Sequence, residues 1–169
     1  MERKPAYITK MQNPDNVLEI EDLHTCFFTE AGPVRSVSGV SFDIPAGSVV
    51  GVVGESGCGK SVTSLSVMGL LQKPHGKITG GQIRLNLGGE AWDLVKTPEK
   101  KLRTLRGGVM SMIFQEPMTA LNPVMTVGKQ LEEAILLHSS AREKFRAAEL
   151  LDRVGIADSS RVCKLYPHN

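Results

Sequence analysis

A glycine-rich run from Gly54 to Ser61 constrains this chain more than any other feature of its sequence. It reads Gly-Glu-Ser-Gly-Cys-Gly-Lys-Ser and fits the phosphate-loop pattern G-x-x-x-x-G-K-[ST]. Backbone N–H groups can surround a polyphosphate only where no Cβ intervenes, which suits Gly57 and Gly59. Lys60 supplies a positive charge for the β and γ phosphates, and the Ser61 hydroxyl is a hard oxygen ligand for Mg²⁺. The run therefore predicts a site for a nucleoside triphosphate.

The segments on either side of this loop give it the context that the pattern requires. Val49–Val53 is short, apolar and β-branched, which predicts a strand buried on both faces of a parallel sheet. Ser61–Leu71 predicts a mostly apolar helix, whose positive dipole end would point at the bound phosphates. The alternative is a plain glycine turn with an incidental Lys-Ser pair, and the order strand, loop, helix argues against it.

Local patterns predict the other elements. Val17–Phe28 and Val34–Ile44 should form an antiparallel hairpin, since turn residues lie between them. Ile83–Leu87 alternates and predicts a half-exposed strand, while Val109–Phe114 predicts a second buried strand. Three helix starts are expected: Thr97 as a cap with Pro98 in the first turn, Thr126 as a cap, and a capping box at Ser140–Glu143.

Composition excludes several classes of function. The chain has 169 residues, enough for one domain with a core, and its net charge of +2 gives no case for a nucleic acid partner. Cys26, Cys58 and Cys163 match no metal-binding spacing, and an odd, scattered count favours a reducing compartment. No stretch approaches the roughly 20 apolar residues of a membrane span, so any membrane role is expected to depend on a partner.

A second motif distinguishes among phosphate-loop families. Met112–Pro123 places Gln115 at the end of a predicted strand, before a loop bounded by Pro117 and Pro123. Together, GESGCGKS and IFQEPMTALNPVMTVG resemble the ATP-binding subunits of ABC transporters, in the branch that imports oligopeptides and dipeptides and includes nickel and glutathione importers. The resemblance extends from Leu18 to Asn169. Near its end, Leu165–His168 looks like the stretch before that family's signature sequence.

The resemblance implies a fold and a set of site residues. The fold is α/β, a P-loop NTPase core of ABC type with a parallel sheet, an N-terminal antiparallel hairpin and the start of a helical subdomain. Phe27 matches the aromatic residue on which adenine stacks, with Phe28 as the alternative, and Gln115 would contact Mg²⁺ or the attacking water. The expected cofactors are ATP and Mg²⁺, with Ser61 and Gln115 as metal ligands. The nucleotide-binding candidates are Phe27, Gly54, Glu55, Ser56, Gly57, Cys58, Gly59, Lys60, Ser61, Val62 and Gln115.

The resemblance also implies partners and a location. Transmembrane permease subunits would bind at the Q-loop region around Met118–Pro123, and a second ATP-binding subunit would complete the nucleotide site. The location would be the cytoplasmic face of the inner membrane, as a peripheral subunit. The predicted organisation is an N-terminal arm over residues 1–16, a partial ATPase core over 17–115, and the Q-loop with a partial helical subdomain over 116–169.

Family members are longer, and this sequence stops where the signature would begin. Without that signature and a later carboxylate to polarise water, we expect this chain to hold ATP without hydrolysing it. Three other interpretations are weighed: a soluble ABC ATPase without a membrane partner, an inert truncated product, and a small-molecule kinase or GTPase. The sequence lacks the N-K-x-D motif of a GTPase, and composition does not select the transported cargo.

Overall fold

The computed structural model describes residues 5–115, 120–138 and 146–168. The chain divides into two compact units, Met1–Met110 and Ser111–Asn169. The predicted boundaries at residues 16 and 115 stay predictions.

The described residues of the first unit form a five-stranded antiparallel sheet with the order β1-β5-β4-β2-β3. The strands are β1 (Ile8–Thr9), β2 (Asn16–Thr29), β3 (Gly32–Pro45), β4 (Gly76–Asn86) and β5 (Ala91–Asp93), and the helices are α1 (Lys60–Met68) and α2 (Glu99–Leu105). The predicted hairpin is confirmed, since β2 and β3 pair along their length around a turn closed by Gly32, whose φ is +115°. Strand β1 lies in the predicted N-terminal arm, so this part of the arm belongs to the sheet.

The core of the first unit lies on one face of this sheet. Ile20, Leu23 and Ile83 are almost fully buried, and Leu102 and Leu105 of α2 pack in the same cluster. Burial of such side chains contributes about 1.5–3 kcal/mol each.

Two strand predictions are wrong. In Val49–Val53 no strand forms, and Val49 and Val53 are exposed. In Val109–Phe114 only Met110 makes a bridge, to Arg106, and Ile113 is exposed. Apolar, β-branched composition favours an extended backbone, but a strand also needs a hydrogen-bonded neighbour, and none pairs with 49–53 among the described residues.

Two local predictions also need correction. Thr97 does not cap α2, because its hydroxyl donates to the Asp93 carbonyl oxygen at 2.8 Å and Pro98 takes the cap position. The strand containing Ile83–Leu87 is present, but it is not half-exposed, because Ile83, Arg84 and Leu85 are all buried.

The second unit is helical. It contains α3 (Val127–His138), α4 (Ala147–Arg153) and α5 (Ser159–Val162), and the helix predicted from Thr126 is confirmed as α3. The capping box predicted at Ser140–Glu143 lies outside the described residues. In α4 the Glu149 carboxylate accepts from the Arg146 backbone N–H at 3.2 Å, which satisfies one donor at that helix start.

Candidate nucleotide site

The glycine loop runs directly into the first turn of α1. Gly57 and Gly59 have φ angles of +82° and +95°, in the left-handed region that favours glycine. A Cβ on Gly59 would collide with the Ser36 carbonyl oxygen, so at this position the loop approaches β3 too closely for any side chain. The structure therefore places both predicted glycines where their lack of a side chain is required or favoured.

The Lys60 side chain folds back over this loop. Its ammonium donates to the carbonyl oxygens of Gly54 at 2.7 Å and Glu55 at 2.6 Å, and it lies 3.5 Å from the Cys58 sulfur. The loop thus holds a positive charge at the N-terminus of α1, whose first turn contains no acidic residue. A helix N-terminus with a lysine charge and no carboxylate in its first turn favours binding of an anion.

Polar contacts join α1 to the end of the glycine loop and to the sheet. The Thr63 hydroxyl donates to the Gly59 carbonyl oxygen at 3.0 Å, which secures the end of the loop. Further along, the buried hydroxyls of Ser66 and Thr25 lie 2.9 Å apart and join α1 to β2. Ser61, the predicted metal ligand, lies exposed in the first turn, and Val62 is half-buried beside it. The helix that follows the loop is therefore bonded back to the end of the loop and joined to β2 by one hydroxyl contact.

A guanidinium supports the other end of α1. Arg106, which follows α2, donates from Nε to the Met68 carbonyl oxygen at 2.8 Å and from Nη2 to that of Gly69 at 3.0 Å. Its Nη1 also donates to the Glu99 carboxylate at 2.7 Å. Hydrogen bonds from Arg106 lower the pKa of Glu99 by more than partial burial raises it. A cation at the C-terminal carbonyls complements the helix dipole that the loop uses at the opposite end.

The aromatic candidates occupy different surroundings. Phe27 is half-buried, and its ring packs on Gly76 of β4, where a Cβ would lie 2.9 Å from the Phe27 Cε1 atom. Phe28 is 45% exposed and lies under the Lys77 ammonium, 5.6 Å from the ring centroid. The adenine-stacking role of Phe27 stays a prediction.

Sequence reasoning missed a cavity on the hairpin that includes Phe28. Its volume is about 470 Å³, and it is lined by His24, Thr25, Cys26, Phe28, Pro33, Arg35, Val37, Thr79 and Gly80. Alternation along a strand shows which side chains share a face, but it does not show the register shifts of β2 against β3 and β4 that occur beside this cavity.

Gln115 belongs to the second unit, while the glycine loop belongs to the first. It is exposed at a bend directly before residues 116–119, so Met118 lies outside the described residues. The structure brings together the loop candidates from Gly54 to Val62, and the role of Gln115 stays a prediction.

Two absences are limited to the described part of the chain. Within it, no cluster of three or more His, Cys, Asp or Glu side chains is arranged to hold a metal ion. No helix in residues 5–115, 120–138 or 146–168 has the length and apolar character that a membrane span requires.

Comparison with known proteins places this geometry in a family. A family model described as ABC transporter matches residues 37–169. The oligopeptide transport ATP-binding protein AppD of Bacillus subtilis (strain 168) is 46% identical over 155 residues, which are 90% of this chain and 46% of that protein. The dipeptide transport ATP-binding protein DppD of the same strain is 47% identical over 157 residues, 91% of this chain and 46% of that protein. The chain thus spans about half the length of these relatives.

Solved structures confirm the predicted fold class. The ATP-binding cassette MJ0796, in a dimeric post-hydrolysis state bound to ADP and Pi, matches with a TM-score of 0.70 at 21% identity. The match covers 89% of this chain and 62% of that one. A second dimeric structure of MJ0796, a bacterial ABC transporter cassette, gives 0.71 at 20% identity.

Proposed function

We propose, on the premise that this chain belongs to the ABC transporter family, that it is part of an ATP-binding subunit of an importer of short peptides. The observation that carries the proposal is the Lys60 ammonium held over a glycine loop at the start of α1. The relatives named for oligopeptide and dipeptide transport support the choice of peptide uptake over other ABC functions.

The loop would bind the triphosphate by exchanging partners. Phosphate oxygens would replace the Gly54 and Glu55 carbonyl oxygens as acceptors for Lys60, because an ion pair with phosphate is stronger than a hydrogen bond to a neutral carbonyl. Backbone N–H groups around Gly57 and Gly59 would donate to the same phosphates.

The Ser61 hydroxyl suits Mg²⁺, which prefers oxygen ligands and keeps most of its water, so that few protein ligands are needed. Gln115 is the second proposed ligand. When bound, the ion would neutralise phosphate charge, and this chain's own contribution would be to hold and orient the nucleotide. Phe27 would stack on the adenine, with Phe28 as the alternative.

The subunit would act at the cytoplasmic face of the membrane. We propose that transmembrane permease subunits bind it through the Q-loop region, and that a second ATP-binding subunit faces the phosphates. ATP binding and hydrolysis in that assembly would drive peptide uptake.

Calorimetric titration with MgATP tests the central step. Lys60→Ala should weaken binding about tenfold to a hundredfold, the usual loss of a charge-assisted hydrogen bond. Lys101→Ala, which removes an exposed lysine from α2, should bind like the wild type. A folded wild-type protein that binds no MgATP, or a Lys60→Ala variant with unchanged affinity, would refute the proposal.

Co-purification separates transport from a soluble ABC function. A tagged subunit expressed with its neighbouring genes should recover membrane proteins from detergent extracts, and deletion of its gene should abolish uptake of labelled dipeptides. Normal peptide uptake by the deletion strain would exclude the transport role.

A further inference from the structure

Gln130, in the first turns of α3, binds the loop that precedes this helix. Its Oε1 accepts from the Asn122 backbone N–H at 2.8 Å. Its Nε2 donates to two backbone carbonyl oxygens, of Asn122 at 2.9 Å and of Met125 at 3.0 Å. One side-chain amide therefore bonds the backbone of the loop 120–125 with both its oxygen and its nitrogen, since an amide carries an acceptor oxygen and two donor hydrogens.

The loop is also folded by its own contacts. The Asn122 side-chain oxygen accepts from the Val124 N–H at 3.1 Å, and the Met125 N–H donates to the Asn122 carbonyl oxygen at 3.3 Å. Val124 is 79% exposed at the tip. Without Gln130 the Asn122 N–H and the Met125 carbonyl oxygen would lose this partner, while the Asn122 carbonyl oxygen would keep the Met125 N–H. The internal turn alone therefore does not attach the loop to α3.

The start of α3 is attached in turn to the chain that follows α5. The backbone N–H of Val127 donates to the Leu165 carbonyl oxygen, and that of Gly128 donates to the Cys163 carbonyl oxygen, both at 3.0 Å. These N–H groups have no partner inside the helix, so the carbonyls satisfy donors that would otherwise need water. The approach is close enough that a Cβ on Gly128 would lie 2.7 Å from the Cys163 oxygen.

We propose that Gln130 is a positioning residue, which holds the loop 120–125 on α3 and so joins the loop after Gln115 to the chain after α5 as one body. This inference rests on the proposed function, in which the loop region receives the transmembrane subunit. If that subunit displaced the loop, the hydrogen bonds of Gln130 would move the start of α3 with it. The backbone bonds from α3 would then transmit the movement to residues 163–165.

The three hydrogen bonds from the Gln130 side chain to the loop 120–125 are here called the clasp. Hydrogen exchange tests the clasp directly. The Asn122 amide hydrogen is bonded to the Gln130 side chain, so its exchange should be about tenfold faster in Gln130→Met, a change of similar size that removes both polar ends. Gln130→Glu should also accelerate exchange, because its carboxylate would face two carbonyl oxygens. Lys129→Met changes the exposed neighbour on the same helix and should leave Asn122 exchange unaltered. Equal exchange in wild type and Gln130→Met would overturn the proposal.

Transport assays in the assembled importer test what the clasp does. Gln130→Met should bind MgATP as the wild type does, because the Gln130 side chain hydrogen-bonds to the backbone of the loop 120–125 and not to a residue proposed to hold the nucleotide. Its KM for ATP should stay unchanged. Transport per ATP hydrolysed should fall about twofold to thirtyfold, the range for residues that carry coupling between sites. Lys129→Met should transport normally.

The outcomes separate this inference from the proposed function. A Gln130→Met variant that transports like Lys129→Met, or that loses MgATP binding in the same proportion as transport, would overturn the positioning role. A wild-type protein that binds no MgATP would refute the proposed function, while Asn122 exchange would still decide whether Gln130 holds the loop.

Discussion

Arg106 and Glu99 form an ion pair across α2, with Nη1 and Oε1 2.7 Å apart. The Arg106 side chain is 18% exposed, and it also donates to the Met68 and Gly69 carbonyl oxygens. Helix α1 has no basic residue in its own last turn, so Arg106 supplies the cation there from another part of the chain. The pair thus ties the helix that carries the glycine loop to α2.

Loss of this guanidinium should therefore destabilise the first unit. We expect Arg106→Met to lower the free energy of unfolding by about 2–4 kcal/mol, because two carbonyls and a carboxylate lose a partly buried donor. The control is Arg103→Met, which removes a 76% exposed arginine that pairs with the same Glu99 at 3.6 Å. An exposed pair of this kind contributes less than about 1 kcal/mol. Urea denaturation measures both, and equal losses would contradict the assigned role.

Two carboxylates should make stability fall in acid. The pKa of Glu99 is lowered below 4.5 mainly by its hydrogen bonds with Arg106. Burial raises the pKa of Glu19, but hydrogen bonds from Asn13, Gln12 and Asn16 outweigh it, so the net shift is also downward. A depressed folded-state pKa stabilises the fold fully above the unfolded-state pKa, and this stabilisation is lost as the pH falls through the folded-state value.

The free energy of unfolding should therefore decline between about pH 5 and about pH 2. Glu99→Gln should lower stability at neutral pH and make the decline shallower, since one titrating group is gone. Glu133→Gln removes an exposed carboxylate of α3 and should keep the wild-type slope. Chemical denaturation across this pH range measures how steeply the free energy of unfolding changes with pH. An unchanged slope for Glu99→Gln would show that the Glu99–Arg106 ion pair does not stabilise the fold.

Sequence reasoning succeeded where the signal was local. The β2–β3 hairpin follows from alternation and the turn at Gly32, and the loop from Gly54 to Ser61 is a contiguous motif whose positive φ angles require or favour glycine. It failed where partners are distant. The strand containing Ile83–Leu87 was expected to be half-exposed, yet Arg84 is buried there against Glu19 and Glu21, more than 60 residues earlier in the chain.

The same reason explains the failed strands. Composition gives Val49–Val53 its preference for an extended backbone. A strand, however, also needs a hydrogen-bonded partner strand, and the composition of a segment does not predict its partner. Within the candidate site, the sequence placed Lys60 at the glycine loop and its phosphate-binding role stays a prediction, but the sequence did not show that its ammonium donates to the Gly54 and Glu55 carbonyls. The clasp by Gln130 gave no signal, because a glutamine in a helix is ordinary in the sequence and becomes specific only through its partners.

Glycine at position 59 should be irreplaceable for two separable reasons. Gly59→Ala introduces both a side chain at a φ of +95° and a collision with the Ser36 carbonyl oxygen. Gly47→Ala introduces only a side chain at a positive φ, of +69°, because the space around its Cβ is open. We expect Gly47→Ala to cost about 1 kcal/mol of unfolding free energy, and Gly59→Ala to cost more and to abolish MgATP binding. Thermal melts and calorimetry measure the two effects, and equal costs would mean that the loop does not press on β3.

Cys58 provides a chemical reporter of loop occupancy. Its sulfur lies beside the Lys60 ammonium, and it is exposed, whereas Cys26 is buried and Cys163 half-buried. N-ethylmaleimide should therefore label Cys58 first, and the added group should block the phosphates. MgATP at roughly ten times its Kd should slow this labelling about tenfold, because only the empty fraction reacts. Labelling of Cys163, in the other unit, serves as the control and should not change. If MgATP binds by calorimetry but leaves the Cys58 rate unaltered, the nucleotide does not occupy the glycine loop.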